Sequence, residues 1–433
     1  MVKLHLKLKY LKTQQKLLIL DLKKLIDFKD KRLIKVITGI RRCGKSTLLK
    51  LYQKHLIDNG VNEEQIISIN FENPDYDELR DYKSLYNYLK KELVADKKNY
   101  ILLDEIQNVV DYQKAIDGLF IMDNVDVYIT GSNAYFMSGE LATLLSGRYV
   151  EIEMLPLSFK EYLSAFEKQQ DLTTLYRRYI ENSSFPYVLE LDNNTESIKS
   201  YLEGIYNTVI LKDVVTRKNI ADVSILESII KFIFDSIGSP ISTKKISDTL
   251  TSRNMSTSNH TVENYISAFL ESYLIYKAER FDVKGKMHLV RDYKYYAVDT
   301  GLRSYLLGKK ADSDMGHILE NIVYLRRGYK VYVGKVDDLE IDFVAENRDG
   351  LKYYQVALTT RDEKVLEREL RSLQKTGDHY PKYILTMDMD LESDYDGITK
   401  INVVDWLLSK NRYPPSSWKE DFCSAGNKAC RHC

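Results

Sequence analysis

The residues Gly39-Ile40-Arg41-Arg42-Cys43-Gly44-Lys45-Ser46-Thr47 fit the pattern G-x-x-x-x-G-K-[ST]. These residue types at this spacing suit a bound phosphate. Glycines let the backbone curl until successive N–H groups point inward, and the helix that follows offers its positive N-terminus to the same anion. Lys45 is placed to reach β- and γ-phosphates, and the Ser46 hydroxyl is a natural ligand for Mg²⁺. Further along, Asp104 and Glu105 close an apolar run that begins at Asn99. A first acid in that position holds the metal directly or through water, and a second polarises the attacking water. Asn133 follows the apolar run Val125 to Thr130 and is the candidate to orient that water, with Ser132 as its neighbouring alternative. Arg148, in Ser146-Gly147-Arg148, is the candidate to stabilise transition-state charge from a neighbouring subunit. Its plainer reading is a surface ion pair. ATP with Mg²⁺ is the expected ligand pair, and ATP hydrolysis the expected reaction.

Such side chains work only if regular elements hold them at the end of one sheet. Leu33 to Thr38 reads as a β-branched strand leading into the loop, and Leu48 to Tyr52 as the start of the following helix. Asn99 to Leu103, Val125 to Thr130 and Tyr149 to Ile152 read as further strands, with a helix expected over Tyr135 to Leu145. An α/β core is expected over residues 1–155.

The order of Gly39 to Thr47, Leu103-Asp104-Glu105-Ile106-Gln107, Thr130-Gly131-Ser132-Asn133 and Leu145-Ser146-Gly147-Arg148 resembles that of the AAA-type P-loop ATPases of bacteria and archaea. More narrowly, it resembles the branch whose carboxy-terminal half is a domain of unknown function. The resemblance implies a sensor residue at Asn133 and an arginine finger at Arg148, and with the finger a homo-oligomer, either a ring or a dimer. A second-sensor arginine is left open among Arg177, Arg178 and Arg217.

Downstream, Pro156 to Leu163 reads as a loop into a helical lid that extends over 156–222. A module over 223–310 follows. Helices are expected over Ile225 to Ile237, over Thr243 to Leu250 and from Ser256 to His260 onward. In the third, Val262, Tyr265, Ile266, Phe269 and Leu270 recur at helical spacing and define one buried face. Strands over Leu274 to Phe281 and Lys294 to Val298 complete a winged helix-turn-helix order. Ser258, Asn259, His260 and Thr261 would then face base edges of DNA, duplex or branched. Arg280, Lys284, Lys286 and Arg291 on the wing would meet phosphates. Glu263 and Glu271 dilute that basic face, and winged helices also serve as protein-contact modules. No partner at ligand spacing supports His260 as a metal ligand.

Over 311–412, a helix from Gly316, strands at Lys330 to Val333, Leu339 to Ala345 and Leu351 to Leu358, the helix Glu363 to Lys375 and the strand Tyr383 to Met387 resemble a restriction-endonuclease-like fold. Glu320, Asp342 and Gln355 stand where that family carries its metal-binding groups. Gln355 replaces an acid and Ala357 the water-positioning lysine, with Lys352 and Lys364 as the nearby lysines. The expectation is an inactive nuclease domain used for contact. In the tail over 413–433, Cys423, Cys430, His432 and Cys433 sit too tightly for a standard zinc site, and the segment reads as unstructured.

Composition bounds these readings. The 433 residues carry 63 Lys+Arg against 63 Asp+Glu, and 44% are hydrophobic, which fits a folded chain of several domains. Met1 to Gly60 holds 13 Lys and 3 Arg against 4 Asp, a basic front end suited to phosphates. The apolar run Leu17 to Leu20 is too short for a signal-peptide core, and no stretch is long enough for a membrane helix. Four cysteines rule out a disulfide scaffold and fit a reducing cytoplasm. The reading is an ATPase that couples nucleotide state to DNA binding. The rivals are a signalling or defence switch acting on a protein partner, and an ATP-regulated nuclease.

Overall fold

The computed structural model describes residues 18–133, 147–166, 170–218, 220, 222–308, 314–326, 330–347 and 350–409. Five strands form a wholly parallel sheet: β1 (Ile34–Thr38), β2 (Ile66–Asn70), β3 (Asn99–Asp104), β4 (Val125–Thr130) and β5 (Tyr149–Glu153), in the order β2-β3-β4-β1-β5. Strands β1 and β3 are buried along their whole length, which is why they read as apolar runs rather than alternations. Leu85, Leu89, Ile101, Leu103, Ile116 and Leu119 lie in one hydrophobic core cluster with strand residues of this sheet. Register aligns Asn70 with Asp104 and Ile37 with Thr130, so the chemistry-bearing ends of β1 to β4 lie side by side. This is the carboxyl edge of an open α/β sheet, where ligands bind. The same sheet buries one charge pair, Lys35 of β1 with Asp126 of β4. Asp126 also accepts from the Tyr128 hydroxyl at 2.8 Å and the Asp30 N–H at 2.9 Å, which keeps its buried charge paired.

The loop after β1 leads into α1 (Lys45–Asp58). Beyond β5, the chain forms α2 (Phe159–Leu163), whose start is fixed by reciprocal Ser158 and Glu161 caps, then α3 (Leu172–Asn182) and α4 (Thr195–Asn207). A π-helix, Thr208–Val215, continues α4. Its wider turns are uncommon and mark places where function outweighs ideal hydrogen bonding.

Helices α5 (Val223–Asp235), α6 (Thr243–Ser252) and α7 (Asn259–Glu271) precede the hairpin β6 (Ile275–Asp282) and β7 (Met287–Ala297). The order is that expected from sequence, with one difference. Strand β7 begins at Met287 and not at Lys294, because Arg291 and Asp292 interrupt the apolar Met287, Leu289 and Val290 and break the single apolar run that marks a strand. Helices α8 (Thr300–Leu307) and α9 (Met315–Tyr324) follow.

The chain divides into two compact units, Met1–Arg280 with Val290–Leu325, and Phe281–Leu289 with Arg326–Cys433. Helix α9, expected to open the nuclease-like domain, falls in the first unit. Its Asn321 side chain brackets the Ala297 backbone, accepting from its N–H at 2.8 Å and donating to its carbonyl at 2.9 Å. In the second unit, β8 (Lys330–Val336), β9 (Leu339–Asn347) and β10 (Gly350–Ala357) pair antiparallel in sequence. Helix α10 (Glu363–Gln374) crosses to β11 (Lys382–Thr386), parallel to β10, and β12 (Ser393–Tyr395) and β13 (Ile398–Asn402) complete the edge. Among the described residues, no helix is long and apolar enough to cross a membrane.

Candidate functional site at the phosphate loop

Gly39 and Gly44 adopt φ of +133° and +111°. A Cβ on Gly39 would lie 2.1 Å from the Met154 carbonyl oxygen, so only glycine fits that first turn of the loop. Cys43 is buried and packs as an apolar residue. Lys45, at the start of α1, is buried, and its Nζ donates to the carbonyls of Gly39 at 2.9 Å and Ile40 at 3.1 Å. The ammonium is thereby folded back over the loop.

Behind the loop, a chain of hydrogen bonds ties three strand ends together. Thr130 Oγ1 donates to Asp104 Oδ1 at 2.6 Å, Asn70 Nδ2 donates to Asp104 Oδ2 at 3.0 Å, and the Glu105 N–H donates to Thr130 Oγ1 at 2.9 Å. Burial pushes the Asp104 carboxyl above its ordinary range, while the Thr130 and Ser46 hydroxyls pull the other way. Glu105 sits in the left-handed region at φ 54°, which turns the chain sharply as it leaves β3. Ser132 and Asn133, at the tip of β4, are both buried, and the Ser132 hydroxyl has no hydrogen-bond partner among the described residues.

Arg41 reaches out of the loop in two directions. Its Nε donates to Asp213 Oδ2 at 2.8 Å, and an Nη donates to Glu72 Oε1 at 2.9 Å. Burial works against its charge, but Asp213, Glu72 and Glu105 outweigh that and hold the guanidinium above its ordinary pKa. Arg148 is bonded within its own chain to Asp117 at 2.6 Å and lies over the Phe120 ring. Arg177 pairs with Glu181 of its own helix. Ser146, the helix expected over 135–145 and the Cys/His tail (Cys423, Cys430, His432, Cys433) fall outside the described residues, as do the side chains of Arg217 and Arg291.

Tyr273, just after α7, has its hydroxyl in hydrogen-bond reach of Thr38 and Glu151, and Thr38 is the residue before Gly39. Ser258 caps α7, its Oγ accepting from the Thr261 N–H at 3.0 Å and pairing with the Thr261 hydroxyl at 2.9 Å. Of the four residues expected to face bases, Asn259 and His260 present exposed side chains not used in that cap. On the wing, Lys284 is taken up by both oxygens of Asp337 at 2.8 Å, whereas Lys286 is exposed and Arg280 half-buried.

Of the nuclease-like residues, Glu320 lies on α9, where Lys294 donates to it at 3.0 Å and Tyr296 at 2.6 Å. Asp342 and Gln355 do meet. The Asp342 N–H donates to Gln355 Oε1 at 2.7 Å, and the Val356 N–H donates to Asp342 Oδ2 at 2.8 Å. Gln355 in turn donates to Glu369 of α10 at 2.7 Å, a carboxylate the sequence pattern did not single out. No group of three or more His, Cys, Asp or Glu arranged for a metal occurs among the described residues. Sequence reasoning also missed Asn70, Gln107 and Asp213. Asn70 is marked only by its place at a strand end, and Asp213 by nothing short of the fold.

A parallel sheet in this strand order, with a phosphate loop after β1 and paired acids after β3, defines an AAA-type P-loop ATPase fold. Residues 31–163 match the AAA domain family, and residues 173–313 match a domain of unknown function. The chain is 42% identical over 394 residues to an uncharacterized protein of Haemophilus influenzae, covering 89% of this chain and 97% of that one. It is 31% identical over 374 residues to an uncharacterized protein of Methanocaldococcus jannaschii, covering 79% and 78%. The chain belongs to this family of AAA-domain proteins. Among solved structures, it is similar to a Walker-type ATPase of Pyrococcus abyssi, at TM-score 0.47 and 14% identity over 66% of this chain and 94% of the other. It is also similar to the Orc1 protein of Aeropyrum pernix in complex with DNA, at TM-score 0.33 and 12% identity over 69% and 94%.

The residues present fit Mg²⁺-ATP. The glycine turn leaves no room for a Cβ, the Ser132 hydroxyl is buried without a partner, and the buried Asp104 carboxylate gains from a nearby cation.

Proposed function

We propose that this protein hydrolyses ATP and couples its nucleotide state to DNA binding, acting as an oligomer. The observation that carries the proposal is the hydrogen-bonded line Asp104–Thr130–Glu105 behind the loop of Lys45 and Ser46. Backbone N–H groups of Ile40 to Thr47 and the Lys45 ammonium bind the phosphates. Ser46 and Asp104 would hold Mg²⁺, which would supply positive charge against the phosphate oxygens. Glu105 takes the proton of the attacking water, and Asn133 orients that water. Arg148 of a neighbouring subunit, released from Asp117, completes the site.

Coupling to DNA is supported by the place of Tyr273, whose hydroxyl at the end of α7 lies near Thr38, the residue before the phosphate loop. Asn259 and His260 are the base-facing candidates, with Ser258 and Thr261 fixing the helix start that presents them. Arg280, Lys286 and Arg291 are the phosphate contacts on the wing, and Lys284 joins them only by leaving Asp337. That ion pair favours the second reading, a switch acting on a protein partner. Gln355 and Ala357 argue against nuclease activity.

The test is the ATPase rate with and without duplex, single-stranded and four-way-junction DNA, at roughly 50 mM salt where phosphate contacts are strong. Stimulation by one form supports the DNA reading, and a flat response favours the protein partner. Within it, Lys45→Ala is expected to weaken nucleotide binding, and Glu105→Gln to keep binding and lose turnover. Normal hydrolysis by Glu105→Gln removes the assignment of the base.

A further inference from the structure

Gln107 is two residues beyond the proposed base, in the short 3₁₀ turn Ile106–Asn108. The left-handed backbone at Glu105 reverses the chain there, so that the Gln107 side chain folds back onto the Glu105 carboxylate. Gln107 Nε2 donates to Glu105 Oε2. The orientation of the amide follows from chemistry, because a carboxylate only accepts and the NH₂ end must face it. The other end of the same amide, Oε1, is buried and has no donor among the described residues. A buried acceptor left without a donor is destabilising, so its retention beside the proposed base calls for a donor that arrives with the substrates.

We propose that Gln107 is a positioning residue for the attacking water, and this rests on the ATPase reading above. Water has two protons to place. One goes to Glu105, and the second is held by Gln107 Oε1 as a hydrogen bond, without transfer. Attack forms a bond from the water oxygen to the γ-phosphorus and breaks the bond from that phosphorus to the β-bridging oxygen. The electron pair leaves with ADP, and the proton passes to Glu105. Gln107 takes no proton and no electrons. Its Nε2 fixes the rotamer of the base, and its Oε1 fixes the water against the same carboxylate, so that one amide sets both partners of the proton transfer.

The experiment compares wild type and Gln107→Ala in Mg²⁺-ATP binding, melting temperature and steady-state ATPase kinetics. For Gln107→Ala, KM and ATP affinity are expected to stay within about twofold of wild type, and kcat to fall on the order of 10²-fold. A merely structural role would lower ATP affinity or melting temperature together with kcat, whereas the positioning role lowers kcat alone. If Gln107→Ala turns over as fast as wild type or faster, the amide is at most a restraint on Glu105 and the positioning role is overturned. A loss of ATP affinity or of melting temperature in parallel with kcat marks a structural role and overturns it as well. Absence of turnover in wild type with Mg²⁺-ATP bound removes the ATPase reading itself, together with this role, and so differs from wild-type turnover matched by the variant.

Discussion

Arg41 of the phosphate loop donates through Nε to Asp213 of the π-helix Thr208–Val215 at 2.8 Å, across 172 residues of sequence. The Asp213 side chain is 2% exposed, against 46% for the second acid partner of Arg41, Glu72. One guanidinium therefore ties the loop to the helical segment that follows the core, and carries the compensation for a buried carboxylate. It also shares the field of Glu105, which places it where added phosphate charge competes for the same cation.

The two ends of that pair are not equivalent. Arg41→Ala removes the guanidinium paired with the buried Asp213 carboxylate and is expected to cost about 3–5 kcal/mol. Asp213→Asn leaves Arg41 with Glu72 and a neutral partner, and is expected to cost nearer 1 kcal/mol. Urea denaturation of the two variants measures the difference, and equal losses would contradict the asymmetry.

Asp104 illustrates a site that works against stability. Its carboxyl is raised by burial, so the native state holds its proton to higher pH than the unfolded chain does. Stability is therefore lost as pH rises from the ordinary carboxylate value of 3.8 through the raised one. Asp104→Asn removes the charge. Without nucleotide it is expected to melt higher than wild type at pH 7, by about 2 °C. Magnesium-dependent stabilisation by ATP is expected to disappear in the same variant, and a lower melting temperature would argue that the carboxylate is compensated within the protein.

Arg148 is held by Asp117 at 2.6 Å in its own chain, and that bond must open if the side chain is to serve a neighbour. Arg148→Ala is expected to retain bound ATP and to lose at least 10²-fold in kcat. Mixing it with Lys45→Ala subunits, each inactive alone, is expected to restore part of the rate, because mixed interfaces pair an intact loop with an intact arginine. No recovery in the mixture removes the trans assignment.

Asp388 has the opposite sign to Asp104. Burial opposes its ionisation, but Thr360 donates through N–H at 2.8 Å and hydroxyl at 2.9 Å and Thr359 through its hydroxyl at 2.7 Å, holding the carboxyl down at about 2. The stabilisation is complete above the ordinary value of 3.8 and is lost as pH falls through about 2. Asp388→Asn is expected to cost about 2 kcal/mol at pH 7, and the gap to wild type to narrow near pH 2. Denaturation curves at the two pH values check it.

The sequence by itself determined the phosphate loop, the paired acids and the strands that carry them. Each is written in consecutive residues: glycines where the backbone needs positive φ, apolar runs where a parallel strand is buried on both faces, and charge placed just where a strand ends. The helix–helix–helix–hairpin order was legible for the same reason, since helical periodicity and turn residues are local signals. The first half of β7 was not, because Arg291 and Asp292 interrupt its apolar residues before Tyr293.

Only the tertiary structure decided which distant residues share the site. Nothing near Asp213 in sequence points to Arg41, and Asn70 meets Asp104 through the register of two strands. Gln107 acquires its position from the left-handed turn at Glu105, a conformation that the residue type does not announce. Long-range pairing also settled which acid stands where. Glu320 is bonded to Lys294 and Tyr296, while Glu369 joins Gln355. A chain fixes its local geometry through sterics within a few residues, whereas the partners of a buried charge are chosen by packing, which a linear pattern does not contain.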